Sequence, residues 1–234
     1  NKAIADYTQA IKIDPKSADA YTNRAAVYAG LGNTSKAITD YTQAIKIDPN
    51  FATAYYNRGN AYADLGDYNK AIADFNQAIK INPNYANAYT NRGYAYEELG
   101  NTNKAIADYT QAIKIDPKSA DAYTNRAAVY ADLGDYERAI VDFDKAIEID
   151  PNYARAYYNR GNAYADLSDI NKAIADYSQA IKINPNHTMA YGNRAAAYAE
   201  LKDYKKATQD ARKACELGDC KVLKYLGENK LIHD

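Results

Sequence analysis

The sequence predicts an all-α protein, an α-solenoid of stacked helix-turn-helix hairpins. The first observation is a strict period, because the six prolines are 34 residues apart, at Pro15, Pro49, Pro83, Pro117, Pro151 and Pro185. The second observation is that each period contains two apolar runs with the spacing of an amphipathic helix. The third is that turn-forming residues separate the two runs at the same place in each period. Such a period is typical of repeat architectures, in which each unit buries its apolar face against the next.

Each period carries the signals of a first helix, a tight turn and a second helix. In the first complete repeat, Tyr21, Tyr28 and Leu31 recur on one face of the first helix. The second helix ends before an Asp-Pro or Asn-Pro pair, because proline donates no backbone hydrogen bond and disfavours helical geometry in the preceding residue. Alanines recur where the paired helices must approach closely, at Ala37 and Ala44 and their equivalents.

The turn between the two helices has its own pattern. Glycine suits a left-handed helix C-cap, and a following Asn or Asp suits the N-cap of the second helix. The turn glycines are Gly32, Gly66, Gly100 and Gly134, with Ser168 and Lys202 in their place in the last two repeats. The expected N-caps are Asn33, Asp67, Asn101, Asp135, Asp169 and Asp203.

Alignment on the prolines predicts the organisation of the chain. The expected segments are the second helix of a truncated repeat at 1–17, complete repeats at 18–51, 52–85, 86–119, 120–153, 154–187 and 188–221, and a capping helix at 222–234. Residues 1–29 and 103–131 are identical, which indicates a recent duplication or an engineered sequence. Because the chain begins inside a repeat, we expect it to be a fragment or processed form of a longer array.

The repeat resembles that of the tetratricopeptide repeat family. The residues that carry the resemblance in the first complete repeat are Tyr21, Tyr28, Tyr41 and Pro49, with the small residues between them. The resemblance implies a right-handed superhelix of hairpins whose open end is covered by the C-terminal capping helix. The chain departs from the family pattern at Arg24 and its equivalents, which stand where the family often has Leu.

Composition and motifs argue against several classes of function. The chain is 47% hydrophobic and 25% charged, and no apolar run approaches the roughly 18 residues of a membrane span. A net charge of -1 does not favour nucleic acid or anionic lipid. His187 and His233 lack neighbours that would suggest a triad or metal site, and no phosphate-binding loop is present. We therefore expect no enzyme activity, no cofactor, no metal, no nucleic acid and no membrane contact.

The two cysteines leave the redox compartment open, although a cytoplasmic location is favoured. Cys215 and Cys220 are too few for a disulfide framework or a four-ligand metal set. A redox pair is one interpretation of their spacing. The favoured interpretation is a partly buried helical cysteine beside an unrelated one.

The resemblance places the first helices on an inner, concave face, and one asparagine of each repeat then lies on its edge. These residues are Asn23, Asn57, Asn91, Asn125, Asn159 and Asn193. An amide donates and accepts at once, so a row of them can hold an extended peptide backbone. The row is similar to the asparagine ladder in the superhelix of the O-linked N-acetylglucosamine transferase family. The alternative is that each Asn bonds to the neighbouring repeat and only rigidifies the stack.

Other residues are expected on the same inner face. The repeat pattern explains most tyrosines as core residues, so the binding candidates reduce to Tyr56, Tyr94 and Tyr158, with Asn60 and Asn162 beside them. The mapped face is acidic, and its carboxylates are Asp19, Asp64, Glu97, Glu98, Asp121, Asp132, Asp166 and Glu200, against the single Arg155. Of these, Asp64, Asp132 and Asp166 are the predicted peptide-binding carboxylates. Lysines gather instead on the second helices.

An arginine row adjoins the asparagines but is expected to be structural. Arg24 and its five equivalents are each matched by an aspartate in the second helix, such as Asp40, and an arginine near the core requires a partner. The sequence also resembles cochaperones that grip a C-terminal carboxylate, but the required cations are absent. Asp121 would repel such a carboxylate.

The sequence thus predicts a protein-protein interaction scaffold. Its expected ligand is a neutral or basic peptide or partner segment, held on the concave face by the Asn ladder, tyrosines and carboxylates. Two alternatives stay open. One is a structural module that associates end to end with another copy. The other is the targeting part of a larger enzyme.

Overall fold

The computed structural model describes residues 2–232, so residue 1 and the end of the predicted capping segment, including His233, lie outside the described residues. The chain divides into two compact units, one ending at Pro117 and the other beginning at Lys118. The helices of the first unit are α1 (Lys2–Ile13), α2 (Ala18–Gly30), α3 (Thr34–Ile47), α4 (Ala52–Asp64), α5 (Tyr68–Ile81), α6 (Ala86–Glu98) and α7 (Thr102–Ile115).

The second unit repeats the pattern and adds a short final helix. Its helices are α8 (Ala120–Asp132), α9 (Tyr136–Ile149), α10 (Ala154–Asp166), α11 (Ile170–Ile183), α12 (Thr188–Glu200), α13 (Tyr204–Glu216) and α14 (Lys221–Glu228). Within each unit, a first helix packs on the second helix of its own repeat, and that second helix packs on the first helix of the next repeat. The predicted all-α fold of stacked hairpins is confirmed.

The turns between paired helices use the predicted residues. Gly32, Gly66, Gly100 and Gly134 have φ angles of 71° to 76°, in the left-handed region that glycine adopts without a steric penalty. Ser168 and Lys202 keep the same geometry, with φ of 60° and 61°. The turn conformation is therefore set by the helix ending and is retained when glycine is absent.

The predicted N-caps divide by residue type. The Asp67 side chain accepts a hydrogen bond from the backbone N–H of Lys70, three residues later. The side chains of Asp135, Asp169 and Asp203 accept the equivalent bond from the residue three positions after each of them. In the other two turns Asn33 and Asn101 occupy the predicted N-cap position, but neither side chain accepts a capping hydrogen bond. Their amides instead donate weakly to the carbonyls of the leucines two residues before them.

Small residues and rings alternate in the core. Phe75 is completely buried between Ala71 of its own helix and Ala95 of the next first helix, with Tyr56 packed at the edge. Fully burying such a ring contributes on the order of 1.5–3 kcal/mol. Ala139, Phe143 and Ala127 form the corresponding cluster in the second unit. The close approach of the helices therefore depends on alanine or glycine opposite each ring.

The final helix covers the end of the second unit but is shorter than the predicted segment. Leu226 is fully buried in a cluster with Ala195, Ala207 and Ala211. The helix ends at Glu228, and the chain folds back so that the N–H of Leu231 bonds to the carbonyl of Leu226 at 2.8 Å. An exposed apolar face of the last repeat is thereby removed from water.

The cysteines are joined, which corrects the favoured interpretation of two unrelated residues. Cys215, near the end of α13, forms a disulfide with Cys220, the residue before α14. The tight turn that follows α13 brings the two together, since the N–H of Asp219 bonds back to the carbonyl of Ala214 at 2.9 Å. Spacing alone did not show that the chain doubles back at this point.

Candidate functional site

The arginine row is a set of structural clamps, as predicted. In the first complete repeat, Nε and an amino group of Arg24 donate to the two carboxylate oxygens of Asp40 at 2.7 and 2.8 Å. The other clamps are Arg58 with Asp74, Arg92 with Asp108, Arg126 with Asp142, Arg160 with Asp176, and Arg194 with Asp210. Bidentate pairing of this kind fixes geometry as well as charge. Because the carboxylates are buried, these arginines are occupied in holding the hairpins together.

The clamps also reach the preceding repeat, a contact that the repeat pattern did not predict. The remaining amino group of Arg24 donates to the Thr8 hydroxyl at 3.1 Å, and that of Arg58 donates to Thr42 at 3.0 Å. Asn76, Asp144 and Ser178 accept from the arginines of later repeats in the same way. The constant separation of 16 residues between donor and acceptor was the available signal.

Tyrosines at the ends of the first helices lie between two cations. The Tyr62 ring centroid is 6.0 Å from the guanidinium carbon of Arg58 and 5.3 Å from Nζ of Lys70. Lys70 also pairs with Asp67, and their hydrogen bond lowers the pKa of Asp67 and raises that of Lys70. The pattern recurs along both units, so much of the lysine charge on the second helices is met by local partners.

In the first unit, one member of the asparagine row bonds to the preceding repeat. Nδ2 of Asn91 donates to the carbonyl oxygen of the Asn60 side chain at 2.7 Å and to the Tyr56 hydroxyl at 3.1 Å. The Tyr56 ring also lies 4.8 Å from that of Tyr85. These three predicted site residues are therefore brought together, but in a contact between repeats. For the Asn91 amino group, the alternative of a rigidifying bond holds.

The second unit contains the same network with one addition. Nδ2 of Asn193 donates to the Asn162 side-chain oxygen at 2.9 Å and to the Tyr158 hydroxyl at 3.2 Å. Tyr177 donates to the same oxygen of Asn162 at 2.9 Å. Burial raises the pKa of Tyr177, so its hydroxyl remains a donor at neutral pH. Phe75 stands at the equivalent position of the first unit and lacks that hydroxyl.

The remaining asparagines of the row are placed differently. Asn125 accepts a hydrogen bond from Arg155 at 2.7 Å, which uses the one cation expected on the inner face. The nearby Asp121 accepts from Tyr153, whose pKa is raised to about 12 by burial and by this carboxylate. Within residues 2–232, no side-chain hydrogen bond involves Asn23, Asn57 or Asn159. The side-chain amides of these three residues are thus free both to donate to a ligand and to accept from it.

Tyr94 is the most exposed of the three predicted tyrosines, with 43% of its surface accessible. Its ring meets that of Tyr68 edge to face at 6.2 Å. Tyr68 donates to Glu98 at 3.2 Å, and Tyr109 donates to Glu97 at 2.8 Å. Partial burial and the neighbouring Glu98 raise the pKa of Tyr94 to about 12. Two of the expected groove carboxylates are therefore engaged with tyrosines of their own unit.

One acidic position is the last residue of the first helix, and it is occupied by Asp64, Glu98, Asp132, Asp166 and Glu200. Apart from Glu98, these carboxylates take no part in the internal contacts described above. All five side chains are exposed. In the part of the chain that the structure describes, Asp64, Asp132, Asp166 and Glu200 form no ion pair or hydrogen bond. Their negative charge is available to a ligand.

The second unit joins this acidic position to the asparagine row in two adjoining depressions. The first, of about 230 Å³, lies between α8 and α10 and is lined in part by Asp132, Asn159, Asn162 and Asp166. The second, of about 400 Å³, lies between α10 and α12 and shares Asn162 and Asp166 with the first. Asn193 and Glu200 complete its polar lining. Neither depression is lined by a lysine or arginine, so both are acidic.

The side chains and helices of residues 2–232 also bear on metal binding and on membrane contact. No group of three His, Cys, Asp or Glu side chains there could hold a metal ion, and no helix there is both long and apolar enough to cross a membrane. His187 serves as the N-cap of α12, where Nδ1 accepts from the N–H of Ala190 at 3.3 Å. Its ring centroid lies 4.8 Å from that of Tyr158, with the two rings tilted by 37°, and burial lowers the pKa of His187.

Solved structures similar to this chain are helical repeat proteins. YrrB, described as a TPR protein with an unusual peptide-binding site, is 27% identical, with a TM-score of 0.62 over 79% of this chain and 95% of its own. MamA is 28% identical, with a TM-score of 0.63 over 69% of this chain and 94% of its own. PilF of Pseudomonas aeruginosa, at 17% identity, shares the fold, with a TM-score of 0.79 over 90% and 97% of the two chains.

Family models cover most of the chain, although no curated protein sequence matches it significantly. A model described as a TPR repeat matches residues 1–32, 30–66, 59–100 and 129–168. Two models described as tetratricopeptide repeat match residues 86–119 and 154–187, and 108–141 and 177–209. Together with the 34-residue hairpins, these matches show that the chain belongs to the tetratricopeptide repeat family.

Proposed function

We propose that this chain is a protein-interaction module that binds an extended segment of a partner protein against its first helices. The observation that carries the proposal is the run of unpaired carboxylates in the second unit, Asp132, Asp166 and Glu200. They recur one per repeat beside the amides of Asn159 and Asn193. Unpaired charge that recurs along adjoining depressions is better suited to a linear ligand than to a small molecule.

The contacts divide the predicted site residues into two groups. Tyr158, Asn162 and the amino group of Asn193 hold neighbouring repeats in register, and Asn162 and Asn193 also line the depression between α10 and α12. Asn159 has both its donor and its acceptor free among the described residues, so it suits the backbone of an extended chain. Asn57 and Asp64 occupy the equivalent positions of the first unit. YrrB, a repeat protein of related sequence, is described as having a peptide-binding site.

The charge of the depressions favours a basic ligand. A bound peptide would bring Lys or Arg side chains to the carboxylates, and charge complementarity raises the association rate and fixes the register. The individual ion pairs would be solvent-exposed, worth about 0.2–1 kcal/mol each, so several must act together. The affinity should fall as salt rises, because exposed charges are screened.

A selection from a displayed library of random peptides tests the proposal. Selected peptides are synthesised and titrated against the intact chain and against the triple variant Asp132→Asn, Asp166→Asn, Glu200→Gln. The matched control, Glu137→Gln, Glu148→Gln, Glu216→Gln, removes the same charge from the exposed surface of second helices. We expect basic peptides that bind the wild type and control but lose at least tenfold in affinity for the groove variant.

Two results would contradict the proposal. One is a selection that enriches no peptide family above the level of an uncoated surface. The other is equal affinity of the selected peptides for the groove variant and the matched control. A further variant, Asn159→Ala, should weaken binding without lowering the thermal midpoint, because its side chain contacts no neighbouring repeat through a hydrogen bond.

A further inference from the structure

An apolar cavity of about 510 Å³ lies beside the final helix of the second unit. Its walls include Ala199 of α12, Tyr204 of α13, Val222 and Tyr225 of α14, and Leu231 beyond it. Val222 and Leu231 are partly buried against the core cluster around Leu226, so that wall is held in place. Tyr225 is 57% exposed and forms the outer side. The volume is more than enough to admit one large apolar side chain.

This cavity continues the acidic depressions of the same unit. It shares Ala196 and Glu200 with the depression between α10 and α12. That depression in turn shares Asn162 and Asp166 with the one between α8 and α10. The three form one path that begins at Asp132 and ends against α14. Its character changes along the way, from acidic and amide-lined to apolar.

Charge complementarity indicates what occupies the path. The polar part presents three unpaired carboxylates and no cation. Among residues 2–232, the one cation that lines the path is Lys221, which lies in the cavity at the far end. A ligand that follows the path must therefore carry positive charge over the first two depressions and an apolar group over the third.

The repeat geometry sets the spacing of those groups. Packed helices lie about 8–10 Å apart, and an extended chain advances about 3.3 Å per residue. Because α10 also contacts α8 and α12 directly, the carboxylates on these successive first helices face peptide residues about three positions apart.

We propose that the cavity beside α14 is an anchor pocket for a large apolar side chain of a basic peptide. The anchor follows two Lys or Arg residues that face Asp132 and Asp166, with about three positions between successive contacts. Phenylalanine and leucine fit the volume and the apolar walls. The inference rests on the proposed function, since the same segment must lie along the first helices. The anchor pocket adds two points to that function: the bound segment carries an apolar residue after its basic residues, and this residue fixes the register of the segment.

Two fluorescent synthetic peptides test the anchor. Both are Ser and Gly chains with two arginines at that spacing, and they differ only in phenylalanine or alanine at the anchor position. Burial of a phenylalanine side chain corresponds to roughly 10- to 100-fold in affinity. We expect the phenylalanine peptide to bind the intact wild-type chain more tightly than the alanine peptide by that factor.

Variants of the pocket locate the effect. Tyr225→Ser removes the outer wall, and Lys221→Trp fills the opening from an exposed position at the start of α14 that lines only this cavity. Both should abolish the preference for phenylalanine while leaving the alanine peptide bound. Val141→Ser is the matched control, because it removes an exposed apolar side chain, 61% accessible, from the second helix α9. It should leave the preference unchanged.

The outcomes separate the anchor from the groove. Equal binding of the two peptides to the wild type overturns the anchor pocket but leaves the proposed function standing. Binding of neither peptide, together with a selection that enriches nothing, overturns both. Light scattering of the free chain supplies the last arm: a dimer that Tyr225→Ser dissociates would show that a second copy occupies the cavity, which overturns the peptide anchor.

Discussion

Replacing glycine by alanine should have opposite effects on stability at two places, one in α10 and one in α12. A Cβ added at Gly161 in α10 would lie 2.7 and 2.9 Å from ring carbons of Tyr177 and 3.3 Å from Cβ of Asp176. At Gly192 in α12 it would meet nothing within 4 Å. Both substitutions gain about 0.8–1 kcal/mol of helix propensity. Only the first forces a buried ring to move.

The overpacking at Gly161 should outweigh the gain in propensity. Tyr177 is 2% exposed and its hydroxyl is bonded to Asn162, so the ring has little room to turn. Inserting a methyl into a packed core costs typically 1–3 kcal/mol. We expect Gly161→Ala to lower the free energy of unfolding by about 1 kcal/mol and Gly192→Ala to raise it by about 1 kcal/mol. The difference between the variants isolates the overpacking, because the propensity contribution is common to both.

Urea unfolding followed by circular dichroism measures both variants. Equal denaturant slopes would show that the change lies in the folded state. Ala127 packs with Phe143 at the equivalent place of an earlier repeat, and both are fully buried, so an alanine is accommodated there beside a ring without a hydroxyl. If Gly161→Ala proved as stabilising as Gly192→Ala, Tyr177 would be free to adjust, and the argument from a rigid ring would be refuted.

Three further predictions concern the clamps, an unpaired hydroxyl and alkaline pH. Asp74→Leu should lower the free energy of unfolding by about 3–5 kcal/mol, because it leaves the Arg58 charge buried and uncompensated. Adding Arg58→Met should restore most of that free energy, as measured by urea unfolding. A double variant no more stable than the single one would contradict this. Thr124 is 0% exposed, and its hydroxyl has no hydrogen-bond partner among residues 2–232. Thr124→Val should therefore raise the thermal midpoint of unfolding by the equivalent of about 1 kcal/mol. A lower midpoint would show that the hydroxyl has a hydrogen-bond partner. Burial raises the pKa of Tyr41 to about 12, so the neutral phenol is favoured in the folded state, and stability that is complete below pH 10 should be lost as the pH rises toward 12. Urea unfolding measured across that pH range should show a smaller loss of stability for Tyr41→Phe than for the wild type. An identical loss would refute the assignment of this pH dependence to Tyr41.

Much of the site followed from the repeat, although its contacts did not. The period placed Asn193 and Asp166 at recurring positions of the first helices, where the structure has them. It did not show that the Asn193 amino group bonds to Tyr158 and Asn162, because those partners are more than 30 residues away in sequence. Nor did it separate Glu97 and Glu98, which bond to tyrosines, from Asp166, which does not.

The sequence by itself determined the helices, their pairing and the arginine clamps. These depend on local propensity, proline spacing and charges that recur at fixed separations, all of which a linear pattern records. Only the tertiary structure decided which amides and carboxylates remain free, that Cys215 and Cys220 join, and that α14 closes an apolar cavity at the end of the acidic path. The physical reason is that hydrogen-bond satisfaction and cavity shape depend on side chains from several helices at once, and a repeat pattern treats each helix alike.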